Sequence, residues 1–245
     1  MSAAIQLDGV SKAYRIIRQR PFLAKELVLR MLGKTQPQEF HQALNDVSFT
    51  IEKGEAVGVI GSNGSGKSTL LSLIAGTSRP TTGTVTVDGR IGPLLELGAG
   101  FVPELTGHEN IYLNASLLGL QREEVDEMLD SIIEFSGIGD FIGQPLVTYS
   151  TGMSARLGFA VIAHIDPDIL LIDEVLAVGD YEFQTKCMDT MRKFRQRGKT
   201  MFLVTHDTSA VTDLCSRTIW LDSGRVQAIG DSNEVVDAYL NRSSD

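Results

Sequence analysis

Gly61-Ser62-Asn63-Gly64-Ser65-Gly66-Lys67-Ser68-Thr69 fits the pattern of a glycine, four residues, then Gly-Lys-Ser. Glycines let successive backbone N–H groups turn inward around phosphate oxygens, and a helix starting at the lysine adds its positive end. In such a loop Lys67 holds the outer phosphates and Ser68 offers its hydroxyl to magnesium. A flexible Gly/Ser turn would look similar by itself. Here, however, an apolar strand from Glu55 to Ile60 runs into the loop and a helical stretch leaves it. That context makes the stretch a phosphate-binding loop on an α/β fold with a parallel sheet.

Working outward, Ile169-Leu170-Leu171-Ile172-Asp173-Glu174 is a short apolar strand closed by two acids. An acid at the end of a buried strand is common, but downstream of a phosphate loop it takes a role. Asp173 is placed to hold the magnesium shell. Glu174 is placed to orient and deprotonate an attacking water. His206 follows the strand Thr200 to Thr205, and parallel strands deliver such residues to one carboxyl edge. The catalytic set read here is therefore Lys67, Glu174 and His206, with Ser68 and Asp173 on the metal.

The rest of the chain alternates strands and helices. Ile5 to Val10 and Val47 to Ile51 read as strands. Asp88-Gly89 between Val85–Val87 and Ile91–Leu95 predicts an antiparallel hairpin. Asn110 to Phe135 has helical periodicity interrupted near Gly119, predicting a helical subdomain over about 98–160. Helices are expected from Phe183 to Arg197 and near Ser209 to Cys215, with Asn233 to Asn241 as a final helix. A second hairpin is expected around Asp222-Ser223-Gly224.

Composition sets limits. With 245 residues, 42% of them hydrophobic, the chain can bury a core as one domain. Its longest apolar runs are far below the roughly 18–20 residues of a membrane span. Met1 to Val10 lacks the basic stretch and apolar core of a secretory signal, so a cytoplasmic location is expected. Cys187 and Cys215 have no metal-like or redox spacing and read as packed thiols. A net charge of −9 argues against nucleic acid as a partner. The distribution is uneven: from Ser11 to Thr35 seven basic residues face Glu26 alone, a net of +6 that leaves −15 elsewhere.

These motifs together resemble the ATP-binding cassette (ABC) transporter family over nearly the whole chain. The resemblance implies a P-loop NTPase core of the ABC ATPase type, with a parallel sheet, an antiparallel β subdomain and an inserted α-helical subdomain. It implies ATP as substrate with Mg2+, bound by residues 61 to 69. The family's signature, usually Leu-Ser-Gly-Gly-Gln, corresponds to Tyr149-Ser150-Thr151-Gly152-Met153. Ser150, Thr151 and Gly152 are then expected to reach the ATP held by a partner's loop across a homodimer. Ser150 also suits a helix cap, which uses the same free N–H groups. Asp180 matches the acid of the family's dimer-contact loop, although Val175 and Ala177 replace its usual Pro and Ser. Tyr14 stands where the family stacks an aromatic ring on adenine, with Phe40 as the substitute. The family's magnesium-touching glutamine is missing from Leu94 to Pro103, where Glu96 either replaces it or caps a strand.

Three stretches are similar to the ATPases of bacterial polysaccharide exporters: Leu95-Glu96-Leu97-Gly98-Ala99-Gly100-Phe101, the variant signature with Ala155 to Ala160 after it, and Glu174 to Asp180. That subgroup works beneath an integral membrane permease dimer, on the cytoplasmic side of the inner membrane, moving lipid-linked O-antigen, teichoic acid or capsule chains. No carboxy-terminal glycan-binding domain is expected. Alternatives are the motor of an importer or drug exporter, or a non-transport ABC protein acting on ribosomes or DNA. Finally, the insertion at 16–40 predicts a basic amphipathic helix, with Leu23, Leu27 and Met31 as its stripe and Arg20, Lys25 and Arg30 off it. Such a helix either packs on its own domain or faces anionic lipid and the polymer's pyrophosphate.

Overall fold

The computed structural model describes residues 2–16, 39–94, 100–173 and 179–242. Glu96, Glu174 and residues 17–38, which hold the expected basic helix, lie outside them.

Two sheets share one core. β1 (Ala3–Arg15), β2 (Phe40–Glu52) and β4 (Thr82–Val87) form an antiparallel sheet in the order β2-β1-β4. The second sheet runs β5-β6-β7-β3-β8-β9, from β3 (Ala56–Ile60), β5 (Ile91–Leu94), β6 (Ile169–Asp173), β7 (Thr200–Val204), β8 (Arg217–Asp222) and β9 (Arg225–Asp231). Its pairs are parallel except β8 with β9. β3, β6 and β7 are apolar almost throughout because both faces of this sheet are covered. In β1, by contrast, Ile5 and Leu7 are buried while Gln6 and Asp8 are exposed, as in a strand with one wet face.

Between the sheets lies α1 (Lys67–Ile74), whose Leu70, Leu71, Leu73 and Ile74 join Ile5, Val47 and Ile51 on one side and Leu171 and Phe202 on the other. Phe49 and Phe202 stack across the gap with ring centroids 6.3 Å apart. On the opposite face of the large sheet, α5 (Tyr181–Gln196), α6 (Thr208–Leu214) and α7 (Ser232–Arg242) bury Phe183, Met191, Leu214 and Val235. A third apolar cluster, including Ile111, Val125, Ile132 and Leu157, holds α2 (Gly107–Leu117), α3 (Arg122–Ser136) and α4 (Thr151–Ile165) together.

Asp88-Gly89 is not a hairpin turn. β4 pairs with β1, and β5 pairs in parallel with β6, so the dipeptide carries the chain from one sheet to the other. The crossing is pinned at both ends: Asp88 N–H donates to the Ala4 carbonyl at 2.9 Å, and Arg90 N–H donates to the Asp168 carboxylate at 2.8 Å. The Asp222-Ser223-Gly224 hairpin forms as expected, with β8 and β9 antiparallel.

Candidate functional site

The phosphate loop leaves β3 at Ile60 and enters α1 at Lys67. Gly66 precedes the helix with φ 109°, a backbone that side chains rarely adopt. A Cβ there would also lie 2.6 Å from the Ala43 carbonyl oxygen and 2.8 Å from Leu44 Cδ2. No side chain caps α1, whose Leu70 N–H donates to the Gly66 carbonyl at 2.9 Å. The loop is held from beneath: Gly224 N–H donates to the Ser65 carbonyl at 2.9 Å, and Asn45 N–H donates to the Gly224 carbonyl at 2.8 Å.

Three observations suit an anionic ligand. Space is open around Gly64, where an added Cβ would meet nothing within 4 Å. The Ser65 hydroxyl is buried with no hydrogen-bond partner among the described residues. Lys67 is 7% exposed, and its ammonium curls back over the loop, donating to the Gly61 and Ser62 carbonyls at 2.7 and 3.0 Å. Ser62, Asn63 and Ser68 are exposed along the loop and the helix start, and Thr69 is half-buried behind them.

The strand order brings the other predicted groups to the same edge. Val204 of β7 is level with both Val59 of β3 and Asp173 of β6. Asp173 therefore stands at the loop's level two strands away, about 10 Å at ordinary strand spacing. His206 lies two residues past Val204, just beyond the end of the strand between them, and is exposed. Its flanks are fixed: Thr205 Oγ1 accepts from Asp207 N–H at 3.0 Å, and the Asp207 carboxylate accepts from Ser209 and Ala210 N–H to cap α6. The Ser209 hydroxyl, more than any other neighbour, holds the Asp207 carboxyl below its usual range.

Ser150 and Thr151 do not join this edge. Ser150 caps α4, its hydroxyl accepting from Met153 N–H at 3.2 Å, while Thr151 and Gly152 begin that helix. Tyr149 braces the cap from behind through its hydroxyl, 2.7 Å from the Phe141 carbonyl. Asp180 caps α5, accepting from Phe183 N–H at 3.0 Å, and pairs with Arg156 of α4, whose guanidinium lies 5.2 Å from the Phe183 ring centre. The Phe183 N–H first, and Arg156 second, hold the Asp180 carboxyl below its ordinary value against the opposing effect of burial.

Tyr14 and Phe40 lie on opposite faces of the antiparallel sheet. Lys12 is paired with Leu44, which packs at Gly66, and although the pairing register shifts after Lys12, its ammonium still lies over the Tyr14 ring, so Tyr14 is on the same side. Phe40 is paired with Arg15, one residue on, and stands on the other side. In the sequence Lys12 stands out only as part of the basic stretch, and Arg156 carries no signal of a role. The two-residue spacing of Lys12 and Tyr14 on a strand was the available signal for the first. Nothing local in the sequence points from Arg156 to Asp180.

Comparisons with known proteins agree with this fold. The family model described as ABC transporter matches residues 44–177. The O-antigen export system ATP-binding protein RfbB of Klebsiella pneumoniae is 55% identical over 241 residues, covering 98% of each chain. The teichoic acids export ATP-binding protein TagH of Bacillus anthracis is 43% identical over 98% of this chain, which spans 43% of that longer protein. Among solved structures, the dimeric structure of a bacterial ABC transporter cassette superposes with a TM-score of 0.74 at 25% identity, covering 93% of this chain and 98% of that one. The chain belongs to the ABC transporter family, within its polysaccharide-exporter subgroup of ATP-binding subunits.

Proposed function

We propose that this chain is the ATP-hydrolysing motor subunit of an exporter that moves a lipid-linked polysaccharide of the O-antigen type across the bacterial inner membrane. The observation that carries the reading is the convergence of the phosphate loop, Asp173 and His206 on one carboxyl edge. The names of the relatives, O-antigen and teichoic acid export subunits, supply the cargo class. Lys67 leaves its loop carbonyls for the outer phosphates of ATP, where a cation is worth more than on a carbonyl pair. Ser68 and Asp173 offer hard oxygens to Mg2+, which when bound neutralises phosphate charge. Glu174 accepts the proton of the attacking water as the terminal phosphate departs, and His206 contacts that phosphate. Tyr14 stacks on the adenine.

Ser150, Thr151 and Gly152 act on the nucleotide of a second copy, so two ATP molecules lie at one symmetric interface. The homodimer works on the cytoplasmic side beneath an integral membrane permease dimer, which handles the polymer. Among the described residues no helix is long and apolar enough to cross a membrane, in keeping with a peripheral motor. The test is complementation of cells lacking the subunit. The wild-type chain is expected to restore polymer at the surface and to copurify with an integral membrane protein. Lys67→Ala is expected to bind no ATP and restore nothing. Copurification with ribosomes or DNA, or export by Lys67→Ala, would overturn the proposal.

A further inference from the structure

We infer that Lys12 is a positioning residue for the base-stacking ring, closing one face of Tyr14 so that a purine meets the other; this rests on the reading of Tyr14 given above. The Lys12 ammonium lies 5.0 Å from the centre of the Tyr14 ring. It does not float there. It donates to the Arg79 carbonyl at 2.7 Å, just after the helix that follows the phosphate loop. The strand beside it is tied to the same segment twice more: Thr81 N–H donates to the Ser11 carbonyl at 2.8 Å, and Ala13 N–H donates to Thr81 Oγ1 at 3.0 Å. Ser11, Lys12 and Ala13 are thus all anchored to residues 79–81, and Tyr14 is the first residue beyond the clamp.

Tyr14 needs such help. It is 41% exposed near the end of β1, beyond the last residue that pairs with β4, and an aromatic ring in that position would otherwise sample several rotamers. A ring used for stacking binds better if its orientation is set beforehand, because the ordering cost is then not drawn from the binding energy. A cation seated on one face by attraction to the ring quadrupole sets that orientation and leaves the opposite face for a base. The site thereby reads the base end of the nucleotide through two residues, one touching it and one behind.

The experiment measures Mg-ATP affinity by calorimetry on the full chain, with inorganic tripolyphosphate as a base-free probe. Lys12→Met is expected to weaken ATP about 3- to 5-fold, the range of an exposed cation–π contact. Tripolyphosphate affinity should not change, whereas a general loss of positive charge would weaken both probes. Lys12→Arg, which keeps a cation at the ring, should bind ATP like the wild type. Tyr14→Ala should weaken ATP, and adding Lys12→Met to it should cost nothing more. If Tyr14→Ala weakens ATP but Lys12→Met does not, the Lys12 inference falls while the stacking reading stands. If Lys12→Met costs as much with Tyr14 absent, or weakens tripolyphosphate equally, Lys12 acts elsewhere and the inference falls. If Tyr14→Ala itself changes nothing, both fall together.

Discussion

Ser150 carries two proposed duties, and replacing it with alanine separates them. Its hydroxyl accepts one bond, from Met153 N–H at 3.2 Å, at the start of the fifteen-residue helix α4. Loss of such a cap costs about 1 kcal/mol. In a chain of this size that is a fall of about 2–4 °C in melting temperature. If capping were the whole role, hydrolysis at a temperature well below melting would hardly change. If the same hydroxyl meets the terminal phosphate on a partner's loop, removal of a donor used in the transition state costs about 100-fold or more in turnover. ATP affinity of the isolated chain should stay the same in both cases, since the chain's own phosphate loop is untouched. The assay is therefore threefold: thermal melting, ATP binding, and steady-state hydrolysis at subunit concentrations that allow pairing. Melting lowered by a few degrees with turnover within about twofold of wild type would refute the trans role and leave Ser150 as a cap.

Glu174→Gln should bind ATP normally, hydrolyse it at least about 100-fold more slowly, and form dimers by light scattering in Mg-ATP; near-normal turnover would remove Glu174 as the base. Glu96→Ala should lower export or permease-stimulated hydrolysis with little change in ATP affinity, whereas unchanged export would return Glu96 to a surface role. Replacing Arg20, Lys25 and Arg30 together with Gln should spare basal hydrolysis and impair export, each cation near an anionic leaflet contributing about 1 kcal/mol. Normal export by that variant would refute a membrane-facing role. Burial pushes the Cys187 and Cys215 thiols up to about 12, so both should resist thiol reagents at neutral pH until the chain unfolds. Because their folded values are raised, their contribution to stability is present below the ordinary thiol range. It should be lost progressively as pH rises from that range, where the unfolded chain ionises first, to about 12, where the folded thiols ionise too.

The nucleotide site was legible because its chemistry is local in sequence or follows from strand ends. Gly61 to Thr69 declares itself by spacing. Asp173 and His206 follow once the strands before them are taken as parallel. The misreading of Asp88-Gly89 shows the limit of that reasoning. Its turn chemistry is real, and Gly89 does take a positive φ of 143°, but a turn does not say which strand receives the next one. The deciding contacts, to Ala4 and Asp168, come from residues 84 and 78 positions away in the chain order of Asp88 and Arg90. Which of Tyr14 and Phe40 lies on the side of Gly66 was likewise closed to sequence, since it depends on the pairing of β1 with β2.

The Asp222-Ser223-Gly224 turn has a consequence for how the chain responds to ligand. Its Gly224 bonds both to the phosphate loop, at Ser65, and to β2, at Asn45, so this one turn residue joins the loop, the antiparallel sheet and the β8–β9 ribbon. Asn45 and Gly224, nearly 180 positions apart in sequence, are bonded to each other directly, and whatever orders the loop bears on that joint through Ser65. Nucleotide binding then stabilises by mass action the joint as well as the pocket. The amide protons of Asn45 and Gly224, neither of which would touch phosphate, become the natural reporters of an occupied site.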